Sequence, residues 1–174
     1  MAAGLFHVYT HCVWVTPTLY RDDVDRTEFL RGLAQVTVRA PWTCLAYCLM
    51  TSHYHLIVEV SDGVLPRAMH ALNLPYARNF NGRYRLRGHV QFAPYGARRI
   101  VGCSDLLNRF AYVANNPVEA GLCSSPELWQ WSSYAGTVGL AELASFVDPA
   151  RLYACIERLG DDPRAGLRRR VENS

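Results

Sequence analysis

The sequence predicts an α+β chain: one antiparallel sheet of ferredoxin-like type with helices on one face, followed by an added helix. Two observations carry this. Short runs of alternating apolar and aromatic residues are separated by segments with helical spacing, and the resulting order is strand, helix, strand, strand, helix, strand, helix. The 174 residues suit one domain, expected over residues 1–155, with residues 156–174 as a polar, flexible tail.

Each element has a local reason. LFHVYTHCVWV is rich in β-branched and aromatic residues, so a first strand is expected over residues 5–15. Past Pro17, the acids Asp22, Asp23 and Asp25 precede Phe29, Leu30, Leu33 and Val36 at helical spacing, which predicts a helix over residues 25–38 stopped by Pro41. CLAYCLM and HYHLIVEV then read as two strands joined in a hairpin at Thr51-Ser52. Leu65, Met69, Leu72 and Tyr76 share one helical side, but Pro75 has no amide hydrogen and should kink that helix or end it near Leu74. NGRYRLRG reads as a loop, and HVQFAPYGARRIV as a fourth strand broken by Pro94 and Gly96. A last helix is expected from a Ser104 cap to Pro117.

Composition narrows the function classes. A hydrophobic fraction of 50%, a charged fraction of 19% and a mean hydropathy of −0.05 exclude a disordered or membrane chain. No apolar run approaches the ~20 residues of a membrane span, and the start lacks a basic-then-apolar signal pattern, so the expected location is the cytoplasm. The six cysteines form no C-x-x-C pair and read as small buried thiols. All 18 basic residues are arginine. Between Gly63 and Ser104 there is no acid, while Arg67, Arg78, Arg83, Arg85, Arg87, Arg98 and Arg99 interleave with Tyr76, Phe80, Tyr84, Phe92 and Tyr95. Guanidinium groups for phosphates and rings for unpaired bases suit a single-stranded nucleic acid; a solvated arginine rim around core aromatics is the plainer alternative.

Two segments carry candidate chemistry. Alternate residues of a strand share a face, so His53 and His55 project together, opposite Tyr54, Leu56 and Val58, where two ring nitrogens can bind one metal ion. A lone H-x-H is weak evidence and needs a third ligand. Winding SDLLNRFAYVANNPVEAG at ~100° per residue gathers Leu106, Leu107, Phe110, Ala111, Val113 and Ala114 on one side. Asp105, Asn108, Arg109, Tyr112, Asn115 and Asn116 fall on the other, with Asn116 one turn beyond Tyr112. Two imidazoles, an amide oxygen and a phenol are equipment for attack on a phosphodiester beside a Lewis acid.

With those residues in view, the sequence resembles the single-tyrosine HUH transposases, and within them the REP-associated tyrosine transposases. AYCLMTSHYHLIVEV is similar to the family's His-hydrophobe-His strand, RFAYVANNPVEAGL to its tyrosine helix, and WQWSSY follows; weaker similarity in HCVWVTPTLYR and FNGRYRLRGH extends the resemblance over residues 7–135. It implies that His53, His55 and Asn116 hold a divalent metal ion, Mg²⁺ or Mn²⁺. It further implies that Tyr112, on the added helix, is the catalytic nucleophile, cutting single-stranded or hairpin-forming DNA through a 5′-phosphotyrosine. Arg78, Arg83, Arg85, Arg87, Arg98 and Arg99 are the expected DNA-binding residues. The family pattern leaves both a monomer and a homodimer open. The chain departs from it at Thr51-Ser52, where Pro-Asn is usual, at Glu119, where arginine is common, and at Pro94. A silent relative that binds structured DNA as a regulator, and a phosphoesterase using water, are the competing readings.

Overall fold

Alternation in the first apolar run becomes β1, Gly4–Val13, on which the sheet is assembled. The computed structural model describes residues 2–13, 18–86, 91–92 and 94–174, with residues 11–13 and 91–92 as backbone. Then follow α1 (Asp23–Arg39), β2 (Trp42–Leu49), β3 (His53–Val60), α2 (Val64–Arg83), β4 (Gln91–Phe92), β5 (Gly96–Ile100) and α3 (Gly102–Glu119). A 3₁₀ turn (Pro126–Leu128), α4 (Tyr134–Thr137), α5 (Ala150–Glu157) and α6 (Pro163–Glu172) complete the described chain.

All strand pairs are antiparallel. β3 lies between β2 and β1, and the other edge of β1 is shared by β5, opposite Leu5–Tyr9, and by β4, opposite Cys12 and Val13. β4 and β5 are therefore two halves of one edge strand interrupted at Pro94, as expected there, whereas Gly96 begins β5 and pairs with Tyr9 instead of breaking the strand. A bulge between Cys44 and Ala46 turns β2 so that Leu45 and Ala46 both face one way. The ferredoxin-like arrangement is present: α1 and α2 cover one face, and α3, the added helix, covers the other with α5 and α6.

Several boundaries move for physical reasons. α2 does not end near Leu74 but passes through Pro75 to Arg83, because its buried stripe of Leu65, Met69, Leu72, Tyr76 and Phe80 continues on both sides of the proline. Packing of that stripe outweighs one lost helix hydrogen bond. α3 starts two residues before the expected Ser104 cap: Gly102, at φ +74°, turns the chain in, and the Asp105 carboxylate accepts from the Val101 amide at 3.0 Å. It also runs two residues past Pro117, which is buried in its last turn.

Two expectations fail. Cys103 and Cys155 are joined in a disulfide across 52 positions, while Cys44 and Cys48 are the buried free thiols that were expected. The polar C-terminal segment is not a flexible tail: α6 buries Leu167 and Val171, and the Asn115 amide of α3 donates to the Val171 carbonyl at 2.9 Å. No described helix is long and apolar enough to cross a membrane.

Candidate active site

The alternation of β3 sends Tyr54, Leu56 and Val58 into the α1/α2 core, and His53, His55 and Ile57 toward α3. His55 is thus buried, against the helix that carries Tyr112, while His53 at the strand start is half-buried. The two imidazoles stand edge to face with centroids 5.0 Å apart, and His53 Nδ1 lies 3.2 Å from Ser52 Oγ.

The helix meets them as its periodicity required. Leu106, Leu107, Phe110, Ala111, Val113 and Ala114 are all buried, and Tyr112 is left 39% exposed. The Tyr112 ring packs edge-on against His55, at 5.6 Å between centroids, and against His7, at 5.9 Å. Asn116 is buried, with its side chain turned toward His55. Its Nδ2 donates to the Tyr112 carbonyl at 2.6 Å, which leaves Oδ1 as the amide's acceptor.

Sequence reasoning missed His7. It is buried on β1, and its Nε2 lies 2.9 Å from His55 Nδ1. Its partner sits 48 positions away, so only strand register brings the two rings together. Tyr9, two residues on and opposite His55, adds a half-exposed ring 5.3 Å from His7. That ring lies over Gly96, where a Cβ would come within 2.3 Å of it.

The electrostatics keep these imidazoles neutral. Burial, then the charges of Arg109 and Arg98, lowers the His7 pKa to about 4. Burial, then His7 and His53, lowers that of His55 to about 3, with the Asn116 side chain pulling the other way. Neutral imidazole is the form that binds a metal. With Nδ1 engaged by His7, His55 Nε2 is buried and has no partner in hydrogen-bonding geometry among the described residues. An orphaned imidazole nitrogen and an amide acceptor beside it fit a cation. Among the described residues no three His, Cys, Asp or Glu side chains form such a centre, so the fit depends on the amide oxygen.

The arginines predicted to bind DNA separate. Arg98, opposite His7 in register, is exposed on the α3 side, 3.6 Å from Asp105. Arg99 is on the other sheet face, reaching the Ala3 carbonyl at 3.4 Å. Arg83 is committed to Asp22 and Asp25, at 2.7 and 2.5 Å, and is not an unpaired phosphate ligand. Arg78 and Arg85 are exposed on and after α2, and Arg87 lies outside the described residues. Trp129 packs against the core on the α3 side, and its Nε1 donates to the Leu49 carbonyl at 3.0 Å.

Comparison with known proteins bears on the fold. No family model matches the chain, and no curated protein matches it. Its structure is similar to that of a REP-associated tyrosine transposase solved bound to a REP hairpin, with a TM-score of 0.65 and 16% identity over 86% of this chain and 88% of the other. A candidate transposase from Deinococcus radiodurans is also similar, at a TM-score of 0.46 and 16% identity, over 66% of this chain and 92% of that one. The chain therefore has the fold of a REP-type tyrosine transposase.

Proposed function

We propose that the chain is a transposase-like enzyme that nicks and rejoins single-stranded or hairpin-forming DNA through Tyr112. The observation that supports this most is the convergence of Tyr112 with His55 and Asn116, from an added helix and a strand far apart in sequence, at an orphaned nitrogen. The fold shared with a transposase solved on a hairpin makes hairpin DNA the probe to choose.

In this reading the Tyr112 hydroxyl attacks a backbone phosphorus. An Oη–P bond forms, the bond to the 3′ oxygen breaks, and the released strand end takes up a proton as a 3′-hydroxyl. The phenolic proton passes to solvent, which reaches the half-exposed Tyr112. The energy of the broken ester stays in the 5′-phosphotyrosine, so a second 3′-hydroxyl can reverse the step without a nucleotide cofactor. His53, His55 and Asn116 would hold Mg²⁺ or Mn²⁺, which when bound supplies a Lewis acid for a phosphate oxygen. His7 orients the His55 ring, and Asn116, tied to the Tyr112 carbonyl, sets amide and phenol in register.

The test is to incubate the protein with a labelled pool of hairpin oligonucleotides and Mn²⁺ and to seek label on the protein in a denaturing gel. A labelled band that vanishes with Tyr112→Phe is the expected result. Binding without any band overturns the enzyme reading in favour of a DNA-binding regulator, and cleavage without a band points to a phosphoesterase that uses water.

A further inference from the structure

One cation in the site has no anion among the described residues. Arg109 lies one turn before Tyr112 on α3, half-buried, with its guanidinium carbon 5.2 Å from the centre of the Tyr112 ring. Its Nε is buried without a hydrogen-bond partner, and no carboxylate pairs with it among the described residues. The nearest acid on the helix, Asp105, is engaged by Arg98 and by the Val101 amide. The Tyr112 ring gives the guanidinium a cation–π contact but no formal negative charge, so its capacity to pair with an anion remains available. The planar fork of arginine matches two oxygens of a phosphate.

We infer that Arg109 is a catalytic residue that binds a non-bridging oxygen of the scissile phosphate as Tyr112 attacks it. The inference rests on the strand-transfer reading above and deepens it by assigning the charge clamp. Of the 18 arginines, this one stands against the Tyr112 ring, whereas Arg83 and Arg99 are held by protein oxygens elsewhere. As Oη bonds to phosphorus and the 3′ oxygen departs, negative charge builds on the non-bridging oxygens, and a preplaced guanidinium stabilises that charge more than it does the ground state.

The experiment pairs a protein change with a substrate change. The hairpin oligonucleotide on which the wild-type protein forms most adduct is mapped, then remade with a neutral methylphosphonate at the scissile linkage. Wild-type adduct formation should slow by roughly 10²-fold on the methylphosphonate, and Arg109→Ala should slow by a similar factor on the ordinary phosphate. The two losses should not add: on the methylphosphonate, Arg109→Ala and wild type should differ by less than about threefold. Arg109→Lys, which keeps the charge without the fork, should fall between them, and it serves as the readout if the alanine variant does not fold. Full additivity of the two losses, or an unchanged rate in both variants, overturns the role of Arg109. No adduct with wild type on any hairpin overturns the strand-transfer reading, and this inference with it.

Discussion

The two faces of the sheet share the same strands and differ in what they bury. Toward α1 and α2, Tyr54, Leu56 and Val58 meet Phe29, Leu72 and Tyr76, and the hydroxyls of Tyr54 and Tyr76 donate to Asn73 Oδ1 and the Leu19 carbonyl at 2.7 and 2.6 Å. Toward α3, the apolar packing of Ile57, Ile100 and Leu106 gives way at one end to His7, His55 and Asn116, with a buried nitrogen left unmatched. The first face is mainly aromatic and aliphatic, and even there the buried Tyr20 hydroxyl has no hydrogen-bond partner among the described residues. The second differs in gathering two imidazoles and an amide beside the exposed Tyr112, which is where the proposed function would have its ligand bind.

The difference predicts unequal responses. Phe29, fully buried and ringed by Tyr20, Tyr54 and Tyr76, anchors the α1/α2 face, so Phe29→Ala should cost about 3–5 kcal/mol in a urea titration. Replacing both His7 and His55 by Leu should change stability by about 1 kcal/mol or less at pH 8, since an apolar pair removes the unmatched nitrogen along with its partner.

The same double variant should respond differently to acid. Unfolded imidazoles take up protons near pH 6.5, while the folded ones resist until about pH 4 and about pH 3. The unfolded state therefore binds more protons in that window. The stability of the wild type is complete above about pH 6.5 and falls by a few kcal/mol on acidification toward pH 4. Urea midpoints against pH should show this slope in the wild type and a shallower one in the double variant; equal slopes would mean the pair is not what the acid attacks.

The smallest effect concerns an arginine on the stable side. Arg83→Gln should lower the urea midpoint only slightly, because the Arg83 guanidinium is exposed and Asp25 still accepts from the Arg21 amide and the Tyr84 hydroxyl. It should leave the affinity for single-stranded DNA within about twofold, whereas Arg98→Gln, on the α3 side, should weaken binding and reduce its salt dependence. A large loss with Arg83→Gln would return that residue to the DNA surface.

Much of this was legible where the signal is local. Periodicity 2 put His53 and His55 on the face opposite Tyr54 and Leu56, and periodicity 3.6 placed Tyr112 apart from the buried side of its helix. What was not legible depends on residues far apart in sequence. The link from His7 to His55 follows from strand order, the Cys103–Cys155 bridge from the packing of α3 on α5, and the engagement of Arg83 from α1 lying beside α2. Pro75 misled for a related reason: a local rule was overruled by a buried stripe whose strength comes from the sheet. Asn116 reads as polar by residue type, and only the docked strand turns it into a buried group.

The contact of the Tyr9 ring with Gly96 constrains how this chain can diverge. Across that strand pair a Cβ at position 96 would meet the ring at 2.3 Å, so any side chain there displaces the aromatic group that leans on His7. The two positions are therefore coupled. A lineage that first exchanges Tyr9 for something small can then vary position 96 freely, whereas one that takes the steps in reverse passes through an intermediate in which the Tyr9 ring has moved off His7.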